Sequence, residues 1–188
     1  MRIPSLAEVL ALFAAREWVV HPAPRVNILF LRKTPGALDA FDDMAFLWRG
    51  EEIHAYRVTT DPGRPSREHP TRQDGTAVWA PGQVVEGLHV GLHKRTYPCL
   101  VPTVPIPVLR YTSLTAKPTM GTSWSVQHHR ANANRESTKV DNWSTGCVVA
   151  ANPLDYSRAM GWFDSQVAGG FPRFSVALVE WDGKGRLG

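Results

Sequence analysis

Short apolar runs, each closed by glycine, proline or charged turn residues, recur from Val26 to Trp181 and restrict this chain to a fold of brief strands. The 188 residues include 15 glycines, 15 prolines and seven tryptophans, a mixture suited to turn-rich β structure rather than a helical bundle. Residues 26–32 read as a strand, and 45–48 with 53–58 as a hairpin around Arg49-Gly50-Glu51-Glu52. Further strands are expected at 77–79, 88–92, 99–104, 108–111, 124–129 and 174–181. Pro102, Pro105 and Pro107 put an edge or a break into the middle of that series. Residues 61–75 are polar and rich in Pro and Arg, which suits a long surface loop able to cap a cleft.

Two helices flank the strands. Ser5-Leu6-Ala7-Glu8 is a capping box, and Leu6, Val9, Leu10 and Phe13 then form one apolar stripe. Asn152-Pro153 supplies an N-cap and first-turn pair for a helix over 153–167, which Gly169-Gly170 ends. The expectation is a mainly β protein with flanking helices (α+β), one catalytic domain over 1–188, with residues 1–20 packed on it as an N-terminal helix.

A formal charge of +4 with 20% charged residues favours an acidic polymer as partner. The basic residues are scattered and carry no nucleic-acid motif, so nucleic acid is not the expected partner. No membrane span is visible, and Glu8 interrupts the apolar stretch near the N-terminus, which reads as a helix rather than a signal peptide.

Chemistry concentrates in Trp143-Ser144-Thr145-Gly146-Cys147-Val148-Val149, a polar turn whose glycine precedes a cysteine opening an apolar strand. A thiol needs a base or a positive field to become a nucleophile. The base sits upstream in Ser125-Val126-Gln127-His128-His129-Arg130. In an extended segment Gln127 and His129 share one face and His128 takes the other, so His129 can face Cys147 from a neighbouring strand. Gly146 permits close backbone approach, and the Gly146 and Cys147 amides are candidates for an oxyanion hole. Cys99 lies in an apolar run and reads as a core residue, and with two cysteines the chain does not depend on disulfides. A rival zinc chemistry rests on His89-Val90-Gly91-Leu92-His93 with His128-His129, but the general-base glutamate is missing and Gly91 weakens the helix such a pair requires. No metal or other cofactor is therefore expected.

His129 followed by Ser144-Thr145-Gly146-Cys147 and Val148 resembles the signature of L,D-transpeptidases with the YkuD-type domain. The wider chain resembles a divergent branch of that domain found in bacterial cell-wall enzymes and phage lysis proteins. The likeness runs through Thr59-Thr60-Asp61-Pro62-Gly63, Gly75-Thr76-Ala77, Pro81-Gly82-Gln83, Gly91-Leu92-His93-Lys94, His129-Arg130-Ala131, Val140 to Cys147, and Ala151-Asn152-Pro153. Three positions depart from the better-known pattern: Thr145 stands for a second histidine, Val149 for the usual Arg or Asn, and Arg130 for a small residue.

The resemblance implies a YkuD-like β-sandwich or barrel and a peptidoglycan L,D-transpeptidase forming 1-3 or 3-3 stem-peptide cross-links in the cell envelope or periplasm. It implies Cys147 as nucleophile, His129 as base, Gly146 in the oxyanion hole, and the Arg130 carbonyl holding the second ring nitrogen of His129. His93, Lys94, Gln127, Ser144 and Thr145 become substrate-binding candidates, with Lys94 or Arg130 holding a stem carboxylate. The nearest alternative is a phage-type peptidase or carboxypeptidase using the same Cys-His site and released at lysis. A noncatalytic wall-binding module is a third. The export route of an envelope enzyme is not written in these residues, whether a leader removed beforehand or a lysis system supplies it.

Overall fold

A computed structural model describes residues 1–185 and 187 of the chain. After α1 (Leu6–Ala15) come β1 (Asn27–Lys33), then β2 (Asp43–Arg49) and β3 (Glu52–Thr59), which form the expected hairpin. The polar segment at 61–75 carries a short helix, α2 (Arg64–Glu68), and leads into β4 (Thr76–Trp79), β5 (Gly82–His93), β6 (Tyr97–Pro102), β7 (Ile106–Tyr111) and β8 (Thr119–Ser123). The chain finishes with β9 (His128–Arg130), β10 (Val148–Ala150), α3 (Pro153–Ala168) and β11 (Arg173–Trp181). Eight strands close a barrel in the order β1-β11-β5-β6-β9-β10-β3-β2, and β4-β7-β8 form a separate three-stranded sheet. The protein is thus mainly β with few helices.

The nearly unbroken apolar run of β1 has a physical reason: both of its faces are covered. Ile28 and Phe30 enter the interior cluster with Leu47, Tyr56, Val58 and Leu178. Leu29 and Leu31 point outward, where Phe46, Trp48 and Val179 join them beneath α1. That helix is fixed by its capping box, with Glu8 N–H donating to Ser5 Oγ at 3.3 Å and Ser5 N–H donating to Glu8 Oε2 at 2.9 Å. Its buried stripe is Val9, Leu12 and Phe13; Leu10, expected inside, is 39% exposed, because Leu12 and Phe13 make the better i+3/i+4 pair with Val9. Phe13 meets Trp18 and Trp48 edge-on at 5.3 and 5.1 Å, contacts each contributing about 1 kcal/mol beyond burial.

Asn152 Oδ1 caps α3 by accepting from Leu154 N–H at 2.8 Å. Tyr156, Ala159, Met160 and Phe163, spaced for one helical face, then pack into the interior cluster. Ala77, Trp79, Ile106 and Val108 of the small sheet belong to that same cluster, so barrel, sheet and α3 share one core. Tyr156 O–H reaches Pro98 O at 2.9 Å and His128 O at 3.3 Å, tying α3 to β6 and to β9, which carries His128 and His129.

Three expectations need correction. The strand expected at 124–129 begins only at His128, in β9; residues 124–127 form a bend after β8 in which Ser123 Oγ accepts from Ser125 N–H at 3.2 Å, since serine hydroxyls compete locally with sheet bonding. The strand at 88–92 extends back to Gly82, with a register shift against β11 between Phe174 and Val176. His89 and His93 lie on that strand, so four residues separate them by about 13 Å instead of one helical turn. The proline-rich stretch after Pro102 is the break where the chain leaves the barrel for the small sheet. Among the described residues, no helix is long and apolar enough to cross a membrane.

Candidate active site

β9 and β10 run parallel, with Val148 opposite His128 and Val149 opposite His129. Side chains alternate along each strand. Val148, Ala150 and His128 therefore turn inward, whereas Val149 and His129 turn outward, and the register places Cys147 diagonally across from His129 on this outer face. β6 adds Tyr97 and Cys99 to the same face, and β5 adds His93, which is registered with Tyr97. The four strands thus bring His93, Gln127, His129 and Cys147 together, as alternation over 125–130 implied.

A chain of contacts orders the group. Gln127 Oε1 accepts from His93 Nδ1–H at 2.7 Å, and the His93 ring stacks on His129 with centroids 4.0 Å apart. His129 Nδ1–H donates to Arg130 O at 2.8 Å, which leaves Nε2 as the unprotonated nitrogen. Tyr97 O–H donates to the same carbonyl at 3.1 Å, pinning the backbone that holds the ring.

The cysteine turn is braced from inside. Ser144 is fully buried; its hydroxyl donates to Cys147 O at 2.7 Å and accepts from Gly146 N–H at 3.2 Å, and its carbonyl accepts from Gly63 N–H. Ser144 thus shapes the turn and is not at hand for substrate. Gly146 has φ +137°, and a Cβ there would stand 2.7 Å from Ala77 O, so this position requires glycine twice over. Because Gly146 N–H is already directed at Ser144, the Cys147 N–H, which has no protein acceptor among the described residues, is the donor free to meet an oxyanion.

Cys147 is half-buried at the edge of a cleft of about 190 Å³, with Thr145 and Gly146 beside it. Residues 61–75 do border this cleft, through Ser66, Thr71, Arg72 and Gly75. Although the thiol opens on the cleft, the protein packed around it pushes it up to about 11, opposed by the Gln127 N–H and the Lys94 charge. Burial pushes His129 down to about 3, against its bond to Arg130 O, with the positive fields of His93, His128 and Lys94 adding to the push. Burial thus disfavours the charged form of both groups, the thiolate and the imidazolium alike. The S–H points to Ser125 O at 3.7 Å.

Lys94 sits at the turn closing β5, with φ +45°, and acts on the site through its field. The Arg130 guanidinium stacks on Tyr97 at 4.0 Å and faces a neighbouring groove with Pro98 and Leu154, away from the cysteine cleft. The basic groups that do border the cleft are Arg72 and Arg110, which sequence reasoning missed along with Tyr97. Alternation along β7 was a usable signal for Arg110, since it shares a face with the core residues Val108 and Ile106. Nothing in the sequence alone singled out Arg72. Cys99 is fully buried, pushed up to about 12 by that burial and by Cys147, with its S–H on Gln127 Oε1 at 3.8 Å. Both cysteines are free thiols. Comparisons of the chain with protein-family models, with curated proteins and with solved structures find no match.

Proposed function

We propose that this protein is a cysteine acyltransferase of the L,D-transpeptidase type, carrying a YkuD-like domain and cross-linking peptidoglycan stem peptides in the cell envelope. The carrying observation is a half-buried cysteine on a glycine turn beside a cleft, with a histidine diagonally opposite whose Nδ1–H is tied to its own neighbour's carbonyl. That tether leaves Nε2 unprotonated and free to take a proton, as acyl transfer from a thiol requires.

Starting from the neutral pair, His129 Nε2 takes the Cys147 proton as the sulfur attacks a stem-peptide carbonyl carbon. The Cys147 N–H stabilises the oxyanion. On collapse the C–N bond breaks, the leaving amine takes the proton from His129, and a thioester remains. An amine of a second stem then attacks the thioester, gives its proton to His129, and forms the cross-link as the C–S bond breaks and Cys147 recovers its proton. Water in place of that amine makes the same site a phage-type peptidase or carboxypeptidase.

The test is incubation with purified disaccharide-peptides and mass spectrometry of the products, with Cys147→Ala as control. New dimers lacking the donor's leaving residue, absent from the control, establish the transpeptidase. Shortened monomers alone establish the hydrolase. Identical products from wild type and Cys147→Ala would remove the thiol mechanism.

A further inference from the structure

The cleft that Cys147 lines is also lined by two guanidiniums, Arg72 and Arg110, and the Asp74 carboxylate lies next to them. Arg110 extends from β7, its side chain only 9% exposed, with NH1 donating to Gly75 O at 3.3 Å and NH2 to Thr122 O at 3.0 Å. A guanidinium has five N–H donors, so these two bonds leave three without a hydrogen bond among the described residues. Asp74 is the nearest acid, 3.8 Å from Arg110 Nε, too long for a hydrogen bond. Its carboxylate is instead engaged by Arg72, at 2.8 and 3.2 Å. Two positive charges against one negative leave this wall cationic. A buried, under-bonded guanidinium lining a cleft is a planar receptor for a carboxylate. Arg72, 66% exposed, is loosely enough held to turn from Asp74 toward a second anion.

Resting on the acyl-transfer reading above, we infer that the cleft selects donor stems carrying a free carboxylate near the scissile carbonyl, with Arg110 as the specificity-determining residue and Arg72 as its mobile second. A stem in which that carboxylate is amidated presents a neutral carboxamide, whose N–H₂ meets only donors at Arg110. Asp74 competes for the same guanidiniums and sets the affinity.

Binding is measured apart from chemistry, by calorimetry on Cys147→Ala protein with matched soluble stem peptides in carboxylate and carboxamide forms. The carboxylate form should bind about tenfold tighter, the worth of one charge-assisted pair in a partly wet cleft. Arg110→Gln should abolish the preference. Because Arg110 also bonds two carbonyls, its loss risks the local fold, so Asp74→Asn provides the second arm: this exposed substitution should tighten carboxylate binding severalfold and leave carboxamide binding unchanged. Equal binding of the two forms, or an Asp74→Asn protein with unaltered carboxylate affinity, overturns the inference. Turnover of both stems by the wild type, without preference, would overturn it while sparing the acyltransferase. If neither stem binds or reacts, both readings fall.

Discussion

On β9 two consecutive histidines face opposite ways, and burial treats them almost alike. His128 enters the barrel, where Nδ1–H donates to Val148 O at 3.1 Å and Nε2 accepts from Tyr56 O–H at 2.7 Å. His129 enters the cleft face, where Nδ1–H donates to Arg130 O and Nε2 has no protein partner among the described residues. Burial pushes the first down to about 4 and the second to about 3. A lowered pKa therefore does not mark the base. The distinction is the spare lone pair: His128 has spent both nitrogens on structure, and His129 keeps one for a proton.

The strongest attempt to break this contrast is on activity. Cys147→Ala should abolish product formation, and His129→Ala should lower kcat/KM about 10²- to 10⁴-fold, the usual worth of a general base. The Cys147→Ala protein should unfold within about 1 kcal/mol of the wild type in urea, since Cys147 borders the cleft, whereas His129→Ala, which empties a buried site against His93, should cost about 2 kcal/mol. A His129→Ala enzyme with full kcat/KM would end the assignment of roles.

His128→Ala should do the reverse. It opens a void against Phe30, whose ring lies 5.3 Å from the imidazole, and leaves the buried Tyr56 hydroxyl without its acceptor. A loss of about 3 kcal/mol in unfolding free energy is expected. The protein that remains folded should keep kcat/KM near the wild-type value.

Acid sharpens the comparison, because both histidines must be neutral in the fold. Each has a folded pKa below its unfolded value near 6.5, so the unfolded chain binds more protons and stability is lost as pH falls from 6.5 toward 4. Asp43 opposes this. Burial raises it to about 6, so its contribution is present in acid and fades as pH rises from about 4 to 6. His21 and His93, also held below their usual range by burial, act in the same direction as His128 and His129, so stability rises with pH between about 4.5 and 6 despite Asp43. In His128→Phe the slope should fall by about one proton, or about 1.4 kcal/mol per pH unit, which urea titrations at several pH values will show. An unchanged slope would mean that His128 titrates normally.

How far the residues announced this arrangement depends on whether one strand sufficed. Alternation from Gln127 to His129 and the glycine before Cys147 are local, and they located the candidate Cys–His pair. The capping box at Ser5 and the Asn152-Pro153 start were equally local. Arg72 and Arg110 escaped because the cleft joins a loop, a strand of the second sheet and the cysteine turn, which only the tertiary fold brings together. The bend between β8 and β9 escaped because Ser123 and Ser125 bond to each other and to the backbone in a stretch whose aromatic and β-branched residues favour a strand. Ser144 was visible, but a serine in a polar turn does not disclose that it is sealed.

The cysteines repeat the contrast at smaller amplitude. Cys99 and Cys147 lie on the same face of the barrel, and both thiols are pushed up, to about 12 and about 11. Iodoacetamide at pH 8 should modify Cys147 alone, because Cys99 has no exposed surface. Its rate should keep climbing to pH 10 and beyond, as expected of a neutral thiol; a plateau already reached at pH 5 would indicate an ion pair. Cys99→Ser should cost at most about 1 kcal/mol, since a hydroxyl can still donate to Gln127 Oε1 and the volume change is small. Its effect on kcat/KM tests the contact chain, because Gln127 holds His93 and His93 stacks on His129. A change within about threefold means that His93 alone fixes the Gln127 carbonyl. A larger fall would make the buried thiol a positioning residue for the base, acting from the strand on the other side of β9.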